Sequence, residues 1–218
     1  MKRIKLFGSA TLVLMLAVTP VLAGSSAGTL FGSLTTATTV GMGHGAFQGG
    51  VGIADLTTVY GAYRYGFSNY TQGRIKLGLA DDQNINTKLI FGADFLYQFW
   101  DVKQGTAESK KPFDMGFQGF FEYGDFDYVS LLEIGGAVVG SYPFLMSNGH
   151  TLTPYGRVDI RMEKSNYDVS IPGLDDTNLE FGINAGVHYQ FTKDIGGYGE
   201  LQLDGNDGIF LGIDFLTM

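Results

Sequence analysis

The sequence contains no cysteine. A disulfide-stapled scaffold is thereby excluded, although an oxidising compartment is tolerated. Histidine is scarce too, with only His44, His150 and His188 among 218 residues. Beyond the first 23 residues there is no run of 18 apolar residues. A membrane-spanning helix is therefore missing, and any insertion into a bilayer has to be by strands. Positive charge is in deficit, with 14 Lys and Arg against 22 Asp and Glu, which speaks against nucleic acid as a partner.

The N-terminus, MKRIKLFGSATLVLMLAVTPVLA, places Lys2, Arg3 and Lys5 before an apolar run that Pro20 breaks, and Val21 and Ala23 are small residues suited to a signal peptidase. Residues 1–23 read as a secretory signal peptide cleaved before Gly24. Loss of its three cations leaves 11 against 22 acids, a net charge of −11 on the mature chain. The remaining 195 residues suffice for one domain and hardly for two.

Glycine and aromatics are abundant: 33 Gly, 12 Tyr and 17 Phe make a strand-and-turn vocabulary. Apolar and polar residues alternate with period 2 over most of residues 45–218. In residues 178–191 one face carries Leu179, Phe181, Ile183, Ala185, Val187, Tyr189 and Phe191, against Asn178, Glu180, Gly182, Asn184, Gly186, His188 and Gln190. Breakers such as SNYT, DDQN, YGD, SNG and DGND divide the chain into ten segments: 45–54, 58–67, 72–80, 86–101, 113–124, 127–141, 150–164, 177–191, 196–204 and 207–216. Most gaps fit only hairpins, so neighbours pair antiparallel in a meander. Residues 102–112 and 165–176 are long enough for real loops, and residues 24–44 form a flexible or capping leader.

The composition of the two faces decides what surrounds the sheet. One face holds Arg64, Arg74, Lys76, Lys88, Asp94, Glu122, Glu133, Arg157, Asp159, Arg161, Glu163, Glu180, His188, Glu200, Asp204 and Asp214, while the other is almost free of charge. A soluble sandwich would bury the apolar faces between two sheets. Three features favour a membrane instead: the length of the apolar faces, as in Leu89, Phe91, Ala93, Phe95, Tyr97 and Phe99; aromatics gathered near segment ends, as in Tyr63, Tyr65 and Phe67, Phe121 and Tyr123, and Tyr189 and Phe191; and an even segment count, which closes the sheet with both termini on one side. The expected fold is all-β: a closed antiparallel up-and-down transmembrane β-barrel of ten strands, with eight or twelve as alternatives, spanning residues 45–218 and lined by the charged set.

Through the signal peptide, through YGFSNYTQGRIKLGL and LTPYGRVDIRM, and through the last strand GIFLGIDF, the chain resembles the broad family of small Gram-negative outer-membrane barrels that includes OmpA, OmpX and OmpW. Members end on an aromatic, whereas here Phe215 is followed by Leu216, Thr217 and Met218. The resemblance implies outer-membrane location, contact with outer-membrane lipids and lipopolysaccharide, handling by the barrel-assembly machinery, and both termini in the periplasm. Residues 165–176 then form an extracellular loop. Residues 102–112 fall on the periplasmic side, where turns are usually short; a miscounted strand before residue 113 would explain this.

Chemistry on this scaffold is sparse. Only His188 faces the lumen beside acids, and no Ser or Thr lies two residues away on its face, so a satisfied lumen histidine is the reading rather than a catalytic dyad. No cluster has metal-ligand spacing. DGND at 204–207 lacks the later Glu of a calcium loop and reads as a hairpin turn. No catalytic residue, metal or cofactor is assigned. The charged lining either fills the lumen as a plug of ion pairs or leaves a narrow path, and inward-facing glycines at 78, 92, 116, 182, 186, 208 and 212 favour some open volume. The expected function is a non-enzymatic barrel that serves envelope structure or porin-like passage of small solutes. Its rivals are surface adhesion through the 165–176 loop and a lumenal hydrolase using His188.

Overall fold

A computed structural model describes residues 28–82, 85–102, 112–127, 129–167 and 176–217. The signal peptide and its cleavage point, and most of the two long loops, lie outside these residues. The strands are β1 (Gly45–Ile53), β2 (Thr57–Gly66), β3 (Thr71–Asp82), β4 (Ile85–Trp100), β5 (Asp114–Asp125), β6 (Val129–Ser141), β7 (Phe144–Leu145), β8 (Thr151–Tyr167), β9 (Asp176–Gln190), β10 (Ile195–Leu203) and β11 (Gly208–Thr217). β7 only extends the hairpin arm against the start of β8. The wall is made of the other ten, each antiparallel to its neighbour in chain order. β1 pairs with β11 from Gly45↔Thr217 to Ile53↔Ile209, which closes the sheet and leaves no edge to satisfy.

The period-2 pattern sets which way each side chain points. In β8, Arg157, Asp159, Arg161 and Glu163 are buried inside, while Val158, Ile160 and Met162 are exposed outside. β4 turns Leu89, Phe91, Phe95, Tyr97 and Phe99 outward and Asp94 and Gln98 inward. A water-soluble barrel has the reverse arrangement. An apolar exterior around a charged interior is what a bilayer requires of a spanning barrel.

The two rims differ. At the rim where β1 begins and β11 ends, called here the C-terminal rim, the exterior carries Phe47, Tyr65, Phe67, Tyr97, Phe99, Phe113, Tyr142, Phe144 and Phe191. The far rim is mainly aliphatic, with Ile53, Val59, Leu79, Leu89, Leu179 and Leu203. Phe121 and Tyr123 stand towards that far rim, so the aromatics form one dense girdle and one thin one. Four strands precede residue 113, with none miscounted, and the β4–β5 connection does belong to the C-terminal rim.

Residues before β1 depart from the sequence expectation of a flexible or capping leader. Thr29, Leu30, Phe31, Ser33, Leu34, Thr35, Thr36 and Ala37 are all buried. Thr29 meets Asp204 at the far rim, whereas Val40 meets Gln72 and Thr39 meets Asn69 at the C-terminal rim. The leader therefore runs the length of the lumen. The two ends of the meander share a rim as expected, but the described chain starts at the opposite one.

Candidate functional site

A segment without regular structure, enclosed in a barrel, must still satisfy its peptide groups. Side chains of the wall do this. Thr29 donates its N–H and its hydroxyl to Asp204 Oδ2 at 3.1 and 2.7 Å. Leu30 N–H donates to Glu122 Oε2 at 2.7 Å. The N–H groups of Ser33 and Leu34 straddle the Glu200 carboxylate at 2.6 and 2.9 Å, a small nest of successive amides around an anion. Further along, Ala37 N–H donates to Ser141 Oγ and Val40 N–H to Gln72 Oε1.

The carbonyls are met in the same way. Thr29 O accepts from Gln202 Nε2 at 2.9 Å and Asn206 Nδ2 at 3.0 Å. Ser33 O accepts from the Arg74 guanidinium at 2.8 Å, and Leu34 O from Gln48 Nε2 at 3.0 Å. Charges on β3, β5 and β10 thus hold a peptide main chain.

Apolar side chains lock the segment in place. Phe31 packs edge-on against Tyr60, with ring centroids 5.1 Å apart, and the Lys76 ammonium lies 5.0 Å from its ring centre. The space that Phe31 fills exists because Gly78 and Gly92 carry no side chain: a Cβ on either would stand 3.2 Å from the Phe31 ring. Gly212 likewise receives Leu34, whose Cδ1 would lie 2.7 Å from a Cβ there, and Gly116 faces the Ala37 carbonyl. These inward glycines leave room for the leader and not for open volume. In the leader itself, Gly32 has φ +63° and would press a Cβ into the Phe210 ring. Leu34 adopts φ 36°, a left-handed conformation costly for a side-chain-bearing residue, held by the contacts on both sides.

The remaining lumenal charges pair with one another. Arg64 meets Asp214 at 2.5 Å, Arg74 meets Asp94 at 2.7 Å, and Lys76 bridges Glu122 at 2.5 Å and Asp94 at 3.5 Å. On the opposite wall Arg157 meets Asp159 at 2.9 Å, and Arg161 lies among Asp159, Glu133, Asp204 and Glu163 at 3.2 to 4.0 Å. The register sets Glu133 directly between Glu122 and Glu163, a row of like charges that Lys76 and Arg161 offset. Lys88, paired with Asp127, and Glu180 are half-buried towards the far rim, and the other charged residues of the lining are buried. Among the described residues, nine buried carboxylates (Asp94, Asp114, Glu122, Glu133, Asp159, Glu163, Glu200, Asp204 and Asp214) face five buried cations (Arg64, Arg74, Lys76, Arg157 and Arg161).

Asp204 opens the β10–β11 hairpin, outside the strands, and burial pushes its carboxyl up to about 6 against the pull of Arg161 and Thr29. That hairpin is a plain turn: Gly205 has φ +107°, and Asp207 accepts the N–H of Asp204 and of Gly205.

The histidines fall in three places. His44 closes a turn onto Gly41 O, and His150 stacks on Tyr189 at the C-terminal rim. His188 packs on Tyr198 with its Nε2 3.4 Å from Asp214. The register places Thr153 directly opposite His188, a neighbour invisible from one strand. No group of three or more His, Asp or Glu among the described residues could hold a metal ion.

Reading the strands one at a time missed the leader and the neutral donors that hold it, Gln48, Gln202 and Asn206. The available signal was a charge-free stretch, Leu30-Phe31-Gly32-Ser33-Leu34, whose apolar residues fit no strand period.

No family model and no curated sequence matches the chain. Among solved structures, the N-terminal β-barrel domain of Pseudomonas aeruginosa OprF is similar at TM-score 0.37 and 12% identity, over 81% of this chain and 99% of that one. KdgM porin is similar at TM-score 0.38 and 9% identity, over 78% and 98%. At these identities the likeness concerns architecture only.

Proposed function

We propose that this chain is a non-enzymatic outer-membrane barrel, exported through a cleaved signal peptide, whose narrow porin-like passage is closed at rest by its own leader. One observation carries this reading: Leu30, Phe31 and Leu34, wholly shielded from solvent, occupy the middle of the lumen. The apolar exterior supports residence among outer-membrane lipids and lipopolysaccharide, reached through the barrel-assembly machinery. With the leader in place the barrel is a rigid envelope element. With the leader displaced, the excess of lumenal acids would favour small cations over anions.

Planar-bilayer recordings test the proposal. The wild-type protein should be silent apart from rare, brief openings. The full-length Phe31→Asp/Leu34→Asp variant, which replaces the apolar side chains seated at Gly78, Gly92 and Gly212 by carboxylates in a lumen where buried acids already outnumber buried cations, should conduct steadily with cation preference. Steady conductance by wild type, or a folded variant as silent as wild type, would overturn the proposal.

A further inference from the structure

The leader contacts show more than closure, because most of them engage atoms that every peptide possesses. Six main-chain groups on Thr29, Leu30, Ser33 and Leu34 are met before any side chain is considered: Asp204 and Glu122 accept two adjacent N–H groups, Glu200 accepts two more, and Gln202 and Arg74 donate to the carbonyls of Thr29 and Ser33. Glu200 is the telling residue. Its carboxylate is bound by Tyr155 Oη at 2.7 Å, by Asn184 Nδ2 at 2.9 Å and by the two leader amides, all of them neutral donors. When the leader leaves, this acid loses half of that set, and water entering the lumen has to replace the two amides. The empty wall therefore keeps acceptors placed for main-chain N–H groups, with Glu200 set for two successive amides of a chain kinked as the leader is at Gly32 and Leu34.

From this geometry we infer that the lumen is a binding site for a peptide with uncharged side chains in the leader's own kinked conformation, of which the leader is the tethered occupant. The wall also states the sequence class. An aromatic residue fits over Gly78 and Gly92, the following residue must be glycine where Phe210 presses in, and an aliphatic residue three positions after the aromatic fits at Gly212. Acidic side chains are excluded by the surplus of carboxylates. A peptide whose first residue takes the place of Thr29 would bring its α-ammonium to Asp204, so a free amino terminus strengthens binding. The inference rests on the closed-barrel reading only in requiring that the leader can leave.

The test uses full-length Phe31→Asp/Leu34→Asp protein folded in detergent micelles and the synthetic peptide TLFGSLTT carrying a C-terminal dye, read by fluorescence anisotropy. Saturable binding is expected, at least about tenfold tighter than to wild type, whose own leader competes. Adding Glu200→Gln to the wall should weaken binding about tenfold, acetylating the peptide should weaken it by a similar factor, and replacing its Phe by Asp should abolish it. Absence of saturable binding to the folded variant overturns the inference, as does binding indifferent to both the Phe replacement and Glu200→Gln. Should the double variant not fold, Phe31→Ala replaces it, and failure of both Phe31→Ala and wild type to take up excess peptide overturns the inference equally. A variant that conducts but binds no peptide sinks this site and leaves the closed passage standing. One that binds peptide but never conducts does the reverse.

Discussion

The wall and the leader solve the same problem by opposite means. Each wall strand pairs its peptide groups with two other strands, so its conformation is set by backbone geometry and its side chains are free to divide into lipid-facing and lumen-facing sets. The leader has no strand partner, and its peptide groups depend on Asp204, Glu122, Glu200, Arg74 and Gln202. The wall is consequently robust to single changes inside it, whereas the leader's position hangs on a handful of side chains. A barrel with this division can hold its shape while its centre changes occupant.

The largest separable effect should come from Phe31→Ala. Phe31 is completely buried, and truncating such a residue costs about 3 to 5 kcal/mol. The cost should fall on leader docking and not on the wall, so proteinase K should cut within residues 28–40 of the folded variant while its β-type circular dichroism and unheated gel mobility match wild type. Loss of the barrel signal along with leader protection would show that the two regions fold as one unit and break the comparison.

The same contrast explains what could be read in advance. Ten strands were legible because period-2 alternation repeats over 9 to 17 residues in each, and a slip of one residue would turn Val158 inward and Arg157 outward. The lumen-facing charges followed from the same parity. The leader was not legible, since Leu30, Phe31, Leu34 and Ala37 recur at helix spacing in a segment that forms no helix, and their positions answer to glycines 47 to 178 residues away in the sequence. For that reason the inward glycines read as open space in the sequence. Cross-strand neighbours such as Thr153 and His188 were hidden for a related reason: they depend on the register between two strands, not on either alone.

Next in size is a test of the wall's two faces. Val158 is 57% exposed near the middle of β8, and Arg157 is 3% exposed beside it. Val158→Arg sets a charge against the hydrocarbon and should lower the free energy of folding into lipid vesicles by about 2 to 4 kcal/mol, with Ile160→Arg similar. Arg157→Val should still insert, because Asp159 keeps Arg161 at 3.2 Å. Denaturant titration measures all three. If Arg157→Val proved far more damaging than both lipid-face charges, the outer surface would be facing something other than lipid.

A smaller effect is expected from pH, at the point where leader and wall meet. Asp204 titrates at about 6 in the folded protein against 3.8 ordinarily. Its folded pKa is raised, so the folded state holds a proton that the unfolded chain releases. Stability should therefore increase as pH falls through about 6 and level off near 4, by on the order of 1 to 3 kcal/mol. Asp204→Asn, which keeps an oxygen for the Thr29 amide, should remove this dependence. A wild-type stability that instead falls steadily over the same range would mean that the acids holding the leader act through their charge.

The smallest effect should be that of His188→Ala, and its smallness is informative. His188 lies 3.4 Å from Asp214, but Arg64 already holds the other oxygen of that carboxylate at 2.5 Å. Removing the imidazole leaves Asp214 paired and should change folding free energy by no more than about 1 kcal/mol. The ring touches Tyr198 and none of the described leader hydrogen bonds, so protease protection of residues 28–40 should be that of wild type. Envelope phenotypes of cells carrying the variant should be unchanged as well, because the polar partner of the imidazole is the Asp214 carboxylate and not a hydroxyl nucleophile. Loss of a lipid-modifying or proteolytic activity in His188→Ala, matched by the same loss in Thr153→Val, would instead make that corner of the lumen a catalytic site and the leader its cover.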